Sequence, residues 1–194
     1  MVMKIIFGFG NPGSQYSNTR HNVGFFTLEK FAQVHNVDFQ PKNKFLADIA
    51  ECQINDEKVL IVKPQTFYND TGKSAQLLLD FYKLSIDDIL VIHDDIVLDF
   101  GKIRIRQGGQ DAGNNGLKSL HRHIGDGFWH IRIGVDNLLR RRIGDTDFVL
   151  GKFNSDEQVI LKDWTAPVTA KLIEQFIVNK LEVTSYNLSA GQDS

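Results

Sequence analysis

At 194 residues, with 42% hydrophobic and 24% charged side chains, the chain has the composition of an ordinary globular protein, not a disordered or fibrous one. That length fits a single domain spanning 1–194, able to bury roughly 70% of the surface its unfolded chain exposes. No apolar run approaches the roughly 20 residues a membrane span needs, and Met1-Val2-Met3-Lys4-Ile5-Ile6 reads as a first strand rather than a signal peptide.

The lone cysteine, Cys52, cannot close an internal disulfide, which fits a reducing, cytoplasmic setting and the packing role of a small core residue. The formal net charge is −2, yet residues 102–142 hold nine Lys/Arg against three acids. That segment is therefore +6 and the remainder −8, an asymmetry expected of a face that meets a polyanion, or of an unevenly charged solvated surface.

Taken in chain order, Lys4 to Gly10 is an apolar run ending in glycine and predicts a buried strand. Asn11-Pro12-Gly13 is a turn, and a polar loop follows to Arg20. Val23, Phe26, Phe31 and Val34 predict an amphipathic helix over about 22–35. Phe45–Ile54 and Lys58–Lys63 read as a hairpin turning at Asn55-Asp56-Glu57. A second polar loop runs from Pro64 to Gly72, and Lys73–Lys83 is helical. Ile89–Ile92 is an all-apolar strand, with Asp94 placed just past its end. Lys102–Gln107 alternates as a half-buried strand does, a glycine-rich loop reaches Gly116 before a short helix, and His130–Val135 is a further strand. Ser155 is the expected N-cap of a helix running to about Lys180, and a tail from about residue 187 is expected to be flexible.

Strands alternating with helices predict a three-layer α/β sandwich around a mixed, mostly parallel sheet. Asn11, Asn69 and Asp94 each follow the carboxyl end of a predicted strand, where open α/β sheets bind ligands. Gly8-Phe9-Gly10-Asn11-Pro12-Gly13 matches the spacing of a dinucleotide-binding loop, but the helical pattern starts only near Asn22 and the acid expected after a second strand is missing. These glycines are better read as a tight turn.

His21 and Asp94 are the candidate chemistry. A carboxylate on one ring nitrogen fixes the tautomer and raises the basicity of the other, making a histidine a general base. There is no G-x-S-x-G elbow, and Cys52 lies in mid-strand, so water is the simplest nucleophile. His121-x-His123 and His93-Asp94-Asp95 contain metal-ligand residue types without a full set at a familiar spacing, so no metal and no cofactor are expected. Asn11, Asn69 and Asn115 either build turns or offer neutral amides to a substrate carbonyl or oxyanion.

These segments together resemble the bacterial-type peptidyl-tRNA hydrolase family. The stretch from Gly8 to Gly24, holding Asn11, Tyr16, Arg20, His21 and Asn22, resembles its opening signature. Pro64–Gly72, His93-Asp94-Asp95, Asn115–Ser119, Arg132-Ile133-Gly134 and Phe148–Lys152 resemble its later motifs. The resemblance implies hydrolysis of the ester between a peptide and tRNA by a cytoplasmic monomer that needs no membrane, cofactor or obligate protein partner. It implies His21 as general base, Asp94 as its orienting acid and Asn11 as the residue positioning the ester. Tyr16, Phe67, Asn69 and Asn115 would line the channel for the tRNA 3′ end and peptide, and Arg104, Arg106 and Arg132 would clamp phosphates. Tyr68 and Asn114 depart from the family, which usually carries Met and His there. A non-catalytic RNA-binding module on the same fold is the alternative.

Overall fold

The computed structural model describes residues 3–188; apart from Asn187 and Leu188, the expected flexible tail lies outside the described residues. Strand β1 (Met3–Gly8) is followed by two single turns, Ser14–Tyr16 and Arg20–Asn22, that lead into helix α1 (Val23–Val34). The short edge strand β2 (Gln40–Lys42) precedes the hairpin of β3 (Ala47–Ile54) and β4 (Glu57–Pro64). The hairpin turns on Asn55 and Asp56, whose φ values of 49° and 64° are a conformation these side chains tolerate better than most. Then come α2 (Gly72–Tyr82), β5 (Ile89–Asp99), β6 (Ile103–Gln107), α3 (Asn115–Ile124) and β7 (Trp129–Asp136). The described residues continue through α4 (Arg140–Ile143), α5 (Asp145–Leu150), α6 (Ser155–Ile160), a π-helical turn (Leu161–Thr165), α7 (Ala166–Ile177) and β8 (Ser185–Tyr186).

The eight strands form one sheet in the order β2-β3-β4-β1-β5-β7-β6-β8. Its centre, β4, β1, β5 and β7, is parallel, and antiparallel ladders close both sides. Alternating side chains feed two cores. Ile6, Ile61, Leu90 and Ile92 meet Phe31, Leu172 and Phe176 on the α1/α7 face. Ile5, Phe7, Leu60 and Val91 meet Ala75, Leu78, Leu117 and Leu120 on the α2/α3 face. Each fully buried side chain of this kind contributes about 1.5–3 kcal/mol relative to exposure. This is the three-layer sandwich with a mixed sheet, its parallel strands gathered at the centre.

The connections reverse at β1, which has β4 on one side and β5 on the other. Polar loops after these strands therefore converge at one edge, the crevice at which such sheets bind ligands. Close packing fixes their positions. A Cβ on Gly24 would lie 2.5 Å from the Ile92 carbonyl oxygen and 2.6 Å from the Phe9 backbone, so the start of α1 presses directly on β1 and β5.

Two sequence expectations are corrected. Asp94 does not lie just past its strand; β5 continues to Asp99, and Asp94 sits inside it opposite Ile133 of β7. The polar run His93-Asp94-Asp95 breaks the apolar pattern because this part of the strand borders a cavity, not because the strand ends. The N-cap of α6 is Asn154 rather than Ser155, and it forms a capping box with Glu157.

Candidate active site

A cavity of about 520 Å³ opens at the carboxyl ends of the central strands. Asn11, Tyr16, His21, Phe67, Asn69, Asp94, Asn115, Arg106 and Arg132 all line it, together with Tyr68 and Asn114. Of the residues expected to act in catalysis, substrate binding or phosphate binding, Arg104 alone is not part of the lining; it sits across the ladder from Arg132, next to β8. The wall contains no Ser or Cys among the described residues, and Cys52 lies on β3, away from the cavity.

His21 stands in the turn just before α1. Its Nδ1 lies 2.9 Å from Asp94 Oδ2, and since an ionised carboxylate only accepts, that nitrogen carries the proton. Nε2 is then the basic nitrogen available on the cavity side, and the side chain is 18% exposed while Asp94's is 2% exposed. Burial alone would raise the Asp94 pKa. The His21 charge and hydrogen bonds from His21 and Tyr68 outweigh it, so the carboxyl titrates below its ordinary range. Asp94 is therefore ionised at working pH and serves His21 as a fixed negative partner.

Asn11 is oriented by its neighbours. Its Oδ1 accepts the Tyr68 backbone N–H at 2.9 Å, which makes Nδ2 the donor end of the amide. Its backbone is clasped by Asn22: Asn11 N–H donates to Asn22 Oδ1 and Asn22 Nδ2 donates to Asn11 O, both at 2.9 Å. Asn22 stands in the opening motif, but no sequence signal told it apart from a turn residue. Phe67 and Asn69 are exposed at the rim, and Asn115, the first residue of α3, is exposed on the opposite side.

Behind the dyad, His93 Nδ1 donates to the Asp94 carbonyl at 2.8 Å, and its Nε2 lies 3.3 Å from His130 Nδ1. Burial lowers the pKa of both, His130 to about 2, so this pair is a neutral wall and not a charge reservoir.

The three candidate phosphate-binding arginines differ. Arg132 is already bound to Asp95, with its Nε 2.6 Å from Oδ2. Arg106 is exposed on the cavity wall. Arg104 is half-buried in the same strand.

Arg20 is the largest feature that sequence reasoning left unassigned. It is 2% exposed, one residue before His21. Its Nη2 contacts Glu157 Oε2 at 2.8 Å and Oε1 at 3.0 Å, its Nη1 donates to the Lys152 carbonyl, and its guanidinium stacks over Phe148 and Phe153. The loop that carries His21 is thereby tied to the segment from Phe148 to Glu157, at the start of α6.

A histidine on a buried carboxylate stands beside neutral amides at the carboxyl ends of the parallel strands of this α/β fold, an arrangement able to activate water for hydrolysis. The family model described as peptidyl-tRNA hydrolase matches residues 5–193, and the chain belongs to that family. A peptidyl-tRNA hydrolase of Rickettsia bellii is 41% identical over 180 residues, covering 93% of this chain and 96% of that one. One of Lactiplantibacillus plantarum is 41% identical over 179 residues, covering 91% and 94%. The crystal structure of peptidyl-tRNA hydrolase from Acinetobacter baumannii superposes with a TM-score of 0.83 at 30% identity, covering 92% of this chain and 90% of that chain.

Proposed function

We propose that the protein hydrolyses the ester joining a peptide, or an N-blocked amino acid, to the 3′ end of tRNA, with water activated by His21. The observation that carries this reading is the 2.9 Å His21–Asp94 contact at the wall of a cavity of about 520 Å³, in a chain of the peptidyl-tRNA hydrolase family.

Neutral His21 Nε2 takes a proton from water, and the oxygen attacks the ester carbonyl carbon. The carbonyl oxygen becomes an oxyanion, to which Asn11 Nδ2 donates; one such donor is worth about 2.7–4 kcal/mol in the transition state. The carbon–oxygen bond to the terminal ribose then breaks, and the proton held on His21 passes to the departing 3′-oxygen. Tyr16 and Phe67 offer aromatic surface to the substrate at the rim. Asn69 and Asn115 offer amides to the peptide backbone and the tRNA end. A binding module without catalysis would leave the dyad unused. No described helix is long and apolar enough to cross a membrane. The same reading has the protein act in the cytoplasm as a monomer.

The test is release of tRNA from N-acetyl-aminoacyl-tRNA against unblocked aminoacyl-tRNA. The blocked ester is expected to be cleaved and the unblocked one spared; no cleavage of the blocked ester would overturn the assignment.

The arginines give a separate expectation. About three phosphate contacts predict a loss of roughly 20- to 40-fold in affinity between 50 and 200 mM salt. Because Asp95 already neutralises Arg132, Arg106→Gln is expected to reduce the salt slope more than Arg132→Gln does. A flat response in the unaltered protein, measured by titration with labelled tRNA, would remove the clamp.

A further inference from the structure

Tyr68 lies at the centre of this site and has no part in the scheme above. It is 2% exposed, and its phenolic O–H donates to Asp94 Oδ1 at 2.6 Å, the carboxylate oxygen that His21 leaves unused. Its ring lies flat on the imidazole of His21, with centroids 3.5 Å apart and planes 8° apart. Asn114 Nδ2 donates to the Tyr68 oxygen at 3.0 Å, and Asn114 Oδ1 accepts the Leu117 N–H as the N-cap of α3. Phe9 packs edge-on at 5.1 Å, and a Cβ on Gly116 would come within 2.6 Å of the Tyr68 ring, so the phenol has no room to move aside.

The direction of this chain is set by proton count. A phenol has one proton, and it is engaged in the hydrogen bond donated to Asp94, so the Tyr68 oxygen is an acceptor toward Asn114. The amide of Asn114 supplies the donor there because its own oxygen is occupied by the helix cap.

We propose that Tyr68 and Asn114 are a coupled pair of positioning residues for the general base, Asn114 orienting the Tyr68 hydroxyl and Tyr68 fixing both Asp94 and the plane of the His21 ring. The inference rests on the reading of His21 as that base. It joins the loop before α3, whose Gln110 and Asp111 line the cavity, to the nitrogen that activates water. The short hydrogen bond shares part of the Asp94 charge, and the flat aromatic face stabilises imidazolium as it forms. Burial, then the Asp94 charge, hold the Tyr68 phenol well above its ordinary pKa, so it remains a donor throughout the working range. Tyr68 and Asn114, two positions at which the sequence departs from the family it resembles, are thus each other's hydrogen-bond partners. A Met at 68 offers no hydroxyl to either neighbour.

The experiment compares pH–rate profiles of Tyr68→Phe, Asn114→Ser and the double variant, with His21→Ala alongside. Phe keeps the stacked ring, and Ser keeps a cap for α3 while being too short to reach Tyr68. The other titratable groups of the wall, Tyr16, His93, Asp94, Asp95, Arg106, Asp111, His130, Arg132 and Asp145, are the same in all four proteins. Tyr68→Phe is expected to lower kcat roughly three- to tenfold with KM changed by less than about twofold, since a hydrogen bond to an ionised group is lost. The acid-side midpoint moves up, because the undivided charge of Asp94 then favours imidazolium. Asn114→Ser shifts both quantities in the same direction by less, and the double variant is no worse than Tyr68→Phe alone.

Unaltered kcat and midpoint in Tyr68→Phe would overturn the proposal, as would losses that multiply in the double variant. If Tyr68→Phe does not fold, Asn114→Ser decides, and an unaltered profile there overturns it equally. An active His21→Ala protein would bring down the base assignment and this coupling together. An inactive one beside an unaltered Tyr68→Phe would remove the coupling alone.

Discussion

Asp94→Ala is expected to lower kcat on N-acetyl-aminoacyl-tRNA by roughly 10²–10⁴-fold, the range a well-placed general base contributes. The carboxylate does three things at once: it holds the Nδ1–H tautomer, orients the ring and offsets the positive charge that forms as His21 takes a proton. The acid-side midpoint of the rate profile should move to lower pH, because the charge that favours imidazolium has gone. Asp94→Asn keeps the volume and removes the charge, and should shift the midpoint the same way. Stability responds with a definite sign. The folded carboxyl titrates below its ordinary range, so its ionised form stabilises the fold above the ordinary carboxyl pKa. That contribution fades as pH falls through the folded value. Alanine abolishes this dependence and leaves the Tyr68 hydroxyl without its acceptor. A variant within about threefold of the unaltered kcat would contradict the role given to Asp94.

Glu157→Ala is expected to destabilise the protein by about 3–5 kcal/mol, the cost of leaving one member of a buried ion pair alone. At the size of this chain that is a fall of roughly 6–20 °C in Tm, from about 2–4 °C per kcal/mol. The magnitude rests on burial: the Arg20 and Glu157 side chains are 3% and 8% exposed, and Glu157 also accepts from Asn137 and from the Asn154 backbone. The freed guanidinium sits one residue from His21, so kcat should fall as well. Replacing both partners, as in Arg20→Met with Glu157→Leu, should recover much of the stability because no charge is then buried unpaired. A melting temperature within about 2 °C of the unaltered protein for Glu157→Ala would show that the pair does not hold the loop.

The layered architecture was legible because the strands are written as short runs of Val, Ile and Leu, and the helices as apolar positions at helical spacing. The candidate dyad was legible because one long loop motif and one acidic pair stand beside predicted strand ends. The exact seat of Asp94 was not, since three polar residues in a strand look the same as a strand that has stopped. The choice of Asn154 over Ser155 as cap was equally hidden: each has a Glu or Gln three residues on, and only the backbone angles separate them. Glu157 could not be paired with Arg20 across 137 residues by any local pattern. For the same reason Tyr68 and Asn114 read as two independent departures, although the fold makes them neighbours. The edge strands β2 and β8, three and two residues long, carry too little pattern to be seen.

The central claim is that His21 activates the water that cleaves the ester. It is tested most directly by His21→Ala, measured under single-turnover conditions on N-acetyl-aminoacyl-tRNA, with tRNA affinity measured in parallel. The account predicts that tRNA release falls to the uncatalysed rate while affinity stays within about threefold, since the imidazole acts on water rather than on binding. Release near the unaltered rate would contradict it.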